Sequence, residues 1–120
     1  MPEVFTSDED LDLKMNWQQL RELNALPGAT VGGHSHTHAI LSFLDPQTLA
    51  GEINTSLSLL RNRAAIGPRH YSYPEGLAYC YSPAVVDMLR QHGVRCCPSA
   101  EDGTNTPTTS PFELKRIFVT

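Results

Sequence analysis

Apolar positions along the chain fall into three helical stripes separated by short apolar runs. Trp17, Leu20 and Leu23 recur at intervals of three. Asn16 stands just ahead of them as a cap and Pro27-Gly28 follows as a stop, so the pattern predicts a helix from Trp17 to about Leu26. The second stripe is the clearest. Leu49, Ile53, Leu57 and Leu60 lie at spacings of four, four and three, one face of a helix. Asp45 is a good N-cap, Pro46 suits the first helical position because its missing N–H is an orphan there anyway, and Gly67-Pro68 ends the element. Ser82-Pro83 repeats the cap-plus-proline start for a third helix with Val85, Val86 and Leu89 as its buried side. This one runs to about His92, in the last turn where the helix dipole favours a cation, before Gly93.

Between and after the helices lie Ala29–Gly33, Tyr71-Ser72-Tyr73, Val94–Cys97 and Leu114–Val119, each short, apolar or aromatic and bounded by breakers. They read as strands. Residues 98–111 are a polar Pro/Ser/Thr/Asn stretch without periodicity and read as a long surface loop. Residues 1–14 hold five of the thirteen acids and read as a short extended piece followed by a solvated acidic loop. Helices alternating with strands predict an α/β fold, a parallel sheet covered by helices. Chemistry in such sheets sits at the carboxyl ends of the strands.

The 120 residues suffice for one domain. Nine Lys and Arg against thirteen Asp and Glu leave a net charge of −4, and no basic run offsets it. That composition argues against a nucleic-acid or anionic-membrane binder. The N-terminus is acidic where a signal peptide needs a basic region and an apolar core, and no apolar run approaches the ~20 residues of a membrane span. Cys80, Cys96 and Cys97 are odd in number and form no CxxC. Adjacent cysteines rarely bridge each other, so all three read as free thiols.

Two segments that follow predicted strands are chemically unusual. In Gly33-His34-Ser35-His36-Thr37-His38, three of the five histidines occupy five positions. His34 and His38 are four apart, the spacing that brings two imidazoles to one side of a helical turn, and Gly32-Gly33 lets the backbone bend ahead of them. Two converging neutral imidazoles make a half-site for Zn²⁺ or another first-row divalent ion. His36 points elsewhere in this arrangement. The other segment, Tyr73-Pro74-Glu75-Gly76, closes a strand with a fixed turn, where an aromatic can wall a sugar or small-ligand groove. The same tetrapeptide is also an ordinary turn.

Taken together, the chain resembles the polysaccharide deacetylase domain (NodB-like, carbohydrate esterase family 4). The likeness is carried by Met15–Leu23, by Val31–His38 followed by Leu41, by Glu52-Ile53, by Tyr73-Pro74-Glu75-Gly76, by Gly93-Val94 and by Leu114–Ile117. It spans about residues 4–119. His34, Ser35 and His38 match the family's His-Ser/Thr-x-x-His motif, and residues 73–76 match the branch that reads Tyr-Pro-x-Gly. The resemblance implies a partial, distorted (β/α) barrel that hydrolyses N- or O-acetyl groups of sugar polymers. It implies His34 and His38 as ligands of a divalent metal, zinc being the expected one, and Ser35, Tyr73, Pro74 and Gly76 as substrate-binding positions. An acetylated oligo- or polysaccharide is the implied partner, and relatives usually act outside the cytoplasm.

The family takes its third metal ligand and its catalytic base from a Thr-Phe-Asp-Asp run on the first strand, expected upstream of Phe5. Its acid comes from a late Leu-x-His segment expected beyond residue 119. Ser72 stands where many members carry arginine, and Glu75 replaces a usual aromatic. The chain therefore reads as a shortened domain with impaired catalysis and no catalytic residue assigned. Asp8, Asp10 or Asp12 folding over the histidines is a further candidate for the third ligand. A barrel without its first strand leaves an open sheet edge, which a homo-oligomer would cover. The competing readings are a non-catalytic sugar- or metal-binding module and an all-β cupin, the latter opposed by three helical patterns.

Overall fold

The computed structural model describes residues 13–120, and the candidates Asp8, Asp10 and Asp12 lie outside them. Among the described residues three α-helices form where the stripes and caps place them: α1, Trp17–Ala25; α2, Pro46–Ala64; and α3, Pro83–Gln91. Each start is held by its own cap. Asn16 and Gln19 form a reciprocal capping box, the Asp45 carboxylate accepts from Thr48 N–H, and the Ser82 hydroxyl accepts from Val85 N–H. Helix α2 stops earlier than Gly67, at Ala65, whose φ of 55° is left-handed. The turn that ends it is closed by Ile66 N–H donating to Leu60 C=O. At the end of α3, His92 turns its Nδ1 to the carbonyl of Met88 at 2.9 Å.

All strand contacts are parallel and run in chain order. Gly33 bridges Tyr71, His70 bridges Cys96, and strand β1, Pro98–Asp102, pairs with strand β2, Leu114–Arg116. The expected α/β layering is present, but no closed barrel forms among the described residues. The segments at Gly33, Tyr71 and Cys96 are reduced to single bridges, so the strands expected at 29–33, 71–73 and 94–97 are much shorter than the apolar runs. The largest correction concerns residues 98–111. A strand, β1, with an irregular register against β2, opens this expected loop. It needs no apolar alternation because its polar groups are paired: Ser99 Oγ donates to Leu114 C=O at 3.0 Å, and Ala100 N–H donates to Gly76 C=O at 2.7 Å. Strand β2 ends at Arg116 and leaves Ile117, Phe118 and Val119 exposed.

One core lies between the strand ladder and α2 and α3. Leu49, Ile53 and Leu57 of α2 meet Val85 and Leu89 of α3, with Leu41, Tyr71, Tyr73, Val94, Cys97 and Phe112 around them. Helix α1 buries none of its residues, so the stripe of Trp17 and Leu23 stays half open. The helix is tied to α2 by Arg21, whose guanidinium donates to Arg63 C=O at 2.6 Å, a cation at a helix C-terminus. All three cysteines are free thiols, two of them buried, and burial pushes Cys97 up to about 12. Gly33 has to be glycine for packing reasons. A Cβ there would run into the Tyr71 ring.

Candidate metal centre

The loop carrying the three histidines leaves the ladder at Gly33, whose N–H donates to His70 C=O while its own carbonyl accepts from Ser72 N–H, both at 2.9 Å. It is not a helical turn. Ser35 and His38 adopt left-handed φ values of 60° and 59°. Two such residues in a four-residue stretch cost strain unless the surroundings fix them, and two anchors do so.

The first anchor is Glu52 on α2. Its carboxylate accepts from the N–H groups of His36 and Thr37, each at 3.0 Å, and from the Thr37 hydroxyl at 2.6 Å. Partial desolvation raises the Glu52 pKa, but the Thr37 and His36 hydrogen bonds outweigh it and hold the carboxyl below its ordinary 4.5. A carboxylate with a depressed folded-state pKa stabilises at pH values above the unfolded one. This anchoring is therefore complete at neutral pH and is lost as acid takes the solution through the folded pKa.

The second anchor is the buried phenol of Tyr71. It accepts from Ser35 N–H at 2.8 Å and donates to Ser56 Oγ at 2.9 Å, since the Ser56 hydroxyl itself donates to Ile53 C=O at 2.8 Å. This chain of bonds ties the histidine loop to the centre of α2. Burial raises the Tyr71 pKa, which keeps the phenol a donor.

Held in this way, His34 and His38 put their ring centroids 4.9 Å apart, edge to face, with both rings exposed. His34 Nδ1 lies 2.9 Å from the carbonyl oxygen of Ser72 and 2.8 Å from Ser72 Oγ. A carbonyl can only accept, so Nδ1 is the donor, and in the neutral ring Nε2 is then the nitrogen that carries the lone pair. A second hydrogen bond of this kind orients metal-ligating imidazoles generally. The pair therefore suits two positions of a divalent-metal site. Among the described residues no third His, Cys, Asp or Glu joins them. His36 is exposed and serves the loop through its backbone.

Ser35 belongs to the same loop, and its buried Oγ has no hydrogen-bond partner. Buried hydroxyls are mostly hydrogen-bonded in native structures, so an unpaired one is uncommon. A cleft of about 270 Å³ opens beside it, lined by Trp17, Leu20, His34, Ser35 and Leu60. The other three candidate substrate contacts are placed differently. Tyr73 is 1% exposed, stacks on Tyr81 with centroids 4.6 Å apart, and donates its hydroxyl to Phe112 C=O at 2.8 Å. Pro74 and Gly76 are buried too. Gly76 takes a φ of 73°, and a Cβ there would lie 2.8 Å from Ala100 N. A ring with no open face cannot wall a groove, so Tyr73 works in this chain as the core support of the turn.

Sequence reasoning gave no role to Glu52, Tyr71 or Ser56. One signal was available for Ser56, a polar residue inside the apolar stripe of α2. Glu52 stood out only as part of the family resemblance, and nothing local pointed to its role, because its partners lie 15 and 16 residues away on another segment.

The polysaccharide deacetylase family model matches residues 4–97, more than three quarters of the chain. The chain belongs to the polysaccharide deacetylase family. Solved deacetylase structures share its fold. Streptococcus pyogenes deacetylase PplD, in complex with acetate, superposes with a TM-score of 0.75 at 17% identity, over 86% of this chain and 44% of that one. The BpsB deacetylase domain of Bordetella bronchiseptica gives 0.74 at 20%, over 88% and 49%. IcaB of Ammonifex degensii gives 0.68 at 22%, over 87% and 47%. The chain thus spans about half the length of these deacetylase chains. No curated protein sequence matches it.

The loop anchored on Glu52 gives a first test. Glu52→Gln keeps one acceptor but turns an NH₂ towards donors, and it removes the charge from three hydrogen bonds. Zinc affinity is expected to fall about tenfold, the scale of lost supporting bonds around metal ligands. Equal titration curves for variant and parent would reject the anchor.

Proposed function

We propose that the chain is the histidine-bearing part of a metal-dependent hydrolase that removes acetyl groups from N- or O-acetylated polysaccharides, with slow turnover as this chain alone. The observation that carries this reading is the His34–His38 pair, with His34 Nδ1 committed to Ser72 and Nε2 free. His34 and His38 would hold the metal, which in such a site polarises the acetyl carbonyl and lowers the pKa of a bound water. The chain's own residues do the positioning. Ser72 fixes the tautomer and aim of His34, while Glu52 and Tyr71 clamp the loop on both sides of His36. Ser35 keeps an unused hydroxyl beside the cleft.

The surroundings of the pair support the reading of slow turnover. Among the described residues no carboxylate joins the two histidines in a metal-binding group. That same observation favours a second reading, a deacetylase-like module that binds metal or sugar without turning it over. No helix of the described residues is long and apolar enough to cross a membrane.

Acetate release from an acetylated chitooligosaccharide, with and without added zinc, separates the two readings. The hydrolase reading expects slow, zinc-dependent release that His34→Ala abolishes. Metal binding without release would support the module. Release that survives His34→Ala would overturn the site.

A further inference from the structure

Outside the metal centre, two large aromatic side chains stand in solvent side by side. Phe43 is 69% and Tyr79 56% exposed, with near-parallel rings, 17° apart, and centroids separated by 6.0 Å. The two rings form an offset-stacked pair, yet more than half of each side chain remains exposed, so apolar ring area stays open to a ligand. We propose that this pair is a stacking platform for a pyranose ring of an acetylated polysaccharide, away from the metal ligands; the proposal rests on the deacetylase reading above.

The platform is built on rigid supports rather than left over by poor packing. Phe43 ends the 3₁₀ turn Leu41–Phe43, and Tyr79 sits within the 3₁₀ turn Ala78–Cys80. Each turn is anchored by a fully buried side chain, Leu41 and Cys80 respectively. Phe43 N–H donates to Ile40 C=O at 3.1 Å and Cys80 N–H to Leu77 C=O at 2.8 Å, while the Ser42 hydroxyl bonds Tyr79 C=O across the two turns. Exposed aromatics held at fixed separation lose little freedom on binding, which favours recognition.

Position and chemistry agree on the occupant. The first turn continues from the histidine loop, and the second continues from the Tyr73–Gly76 turn, so both lie on segments leaving the carboxyl ends of the ladder. Phe43 lies five positions after His38, which limits their Cα separation to about 18 Å. That is the reach of a few sugar units along one polymer. A pyranose presents a C–H face that an aromatic ring can cover, with hydroxyls left at the rim in water. Neither platform ring carries charge, as suits a neutral acetylated chain, and the protein's net −4 offers no attraction to an anionic one.

Affinity electrophoresis through gels containing glycol chitin tests the platform apart from catalysis. Wild type is expected to be retarded, and the double variant Phe43→Ala/Tyr79→Ala to bind the polymer about tenfold more weakly, the scale of losing two aromatic contacts. Acetate release measured on the same wild-type and double-variant samples keeps the two readings apart, because failed release together with a retained Phe43/Tyr79 effect on retardation would reject only the hydrolase reading. Phe43→Trp, which keeps a flat ring, should keep or strengthen retardation and guards against a folding artefact. The proposal is overturned if the double variant is retarded like wild type, or if wild type is not retarded. It is equally overturned if the double variant instead lowers the sedimentation coefficient, which would mean that the patch seats a second copy of the chain.

Discussion

Replacing Tyr73 with alanine is expected to cost about 3–5 kcal/mol of stability and to lower the melting temperature by roughly 15 °C. The ring is 1% exposed, stacks on Tyr81, and belongs to the cluster that joins α2, α3 and the ladder. Its removal leaves a cavity and also orphans the Phe112 carbonyl that accepts its hydroxyl at 2.8 Å. A domain of this size has about 5–15 kcal/mol in total, so the loss is a large share of what holds it folded. Tyr73→Phe separates the two contributions. Keeping the ring and losing only the hydroxyl, it should cost about 1–3 kcal/mol. Thermal unfolding followed by circular dichroism measures both. A ligand-wall role would show the opposite pattern, with unchanged melting and weakened sugar binding for Tyr73→Ala.

Replacing His34 with alanine is expected to leave melting nearly unchanged, since the ring is exposed, but to weaken zinc binding more than about 100-fold. His38→Ala should match it, because two imidazoles whose centroids are 4.9 Å apart act as one donor pair. Ser72→Ala is the informative comparison. It removes the Oγ contact at 2.8 Å and keeps the backbone carbonyl at 2.9 Å that fixes the His34 tautomer. Its loss should therefore stay below about tenfold. His36→Ala keeps the backbone N–H that Glu52 holds, and should bind zinc as wild type does. Equilibrium zinc titration of the four variants would show this order. Equal losses at His36 and His34 would mean that histidine content alone, without the geometry, attracts the metal.

Helices were legible because their signals are local. Asn16, Asp45 and Ser82 cap within their own first turns, and the α2 stripe buries one face whatever surrounds it. Strand β1 was illegible because its partners are distant in sequence. Nothing in Pro98–Asp102 announces that Gly76 and Leu114 will pair with it. The histidine pair was legible for a reason that the structure revises. A four-residue spacing suggested a helical turn, whereas two left-handed residues and the Glu52 and Tyr71 anchors bring the rings together. Tyr73 shows the opposite limit. An aromatic at a strand end reads equally well as groove wall or core, and only the Tyr81 ring and the Phe112 carbonyl decide between them.

On the proposed reading, His34 and His38 together hold a divalent metal in a deacetylase-family domain. X-ray absorption at the zinc edge of the zinc-loaded chain tests it most directly. A shell of nitrogen and oxygen scatterers at about 2.0–2.1 Å is expected, with outer-shell scattering from two imidazoles that drops to one in His38→Ala. Scattering from sulfur at about 2.3 Å, or an unchanged imidazole count in that variant, would contradict it.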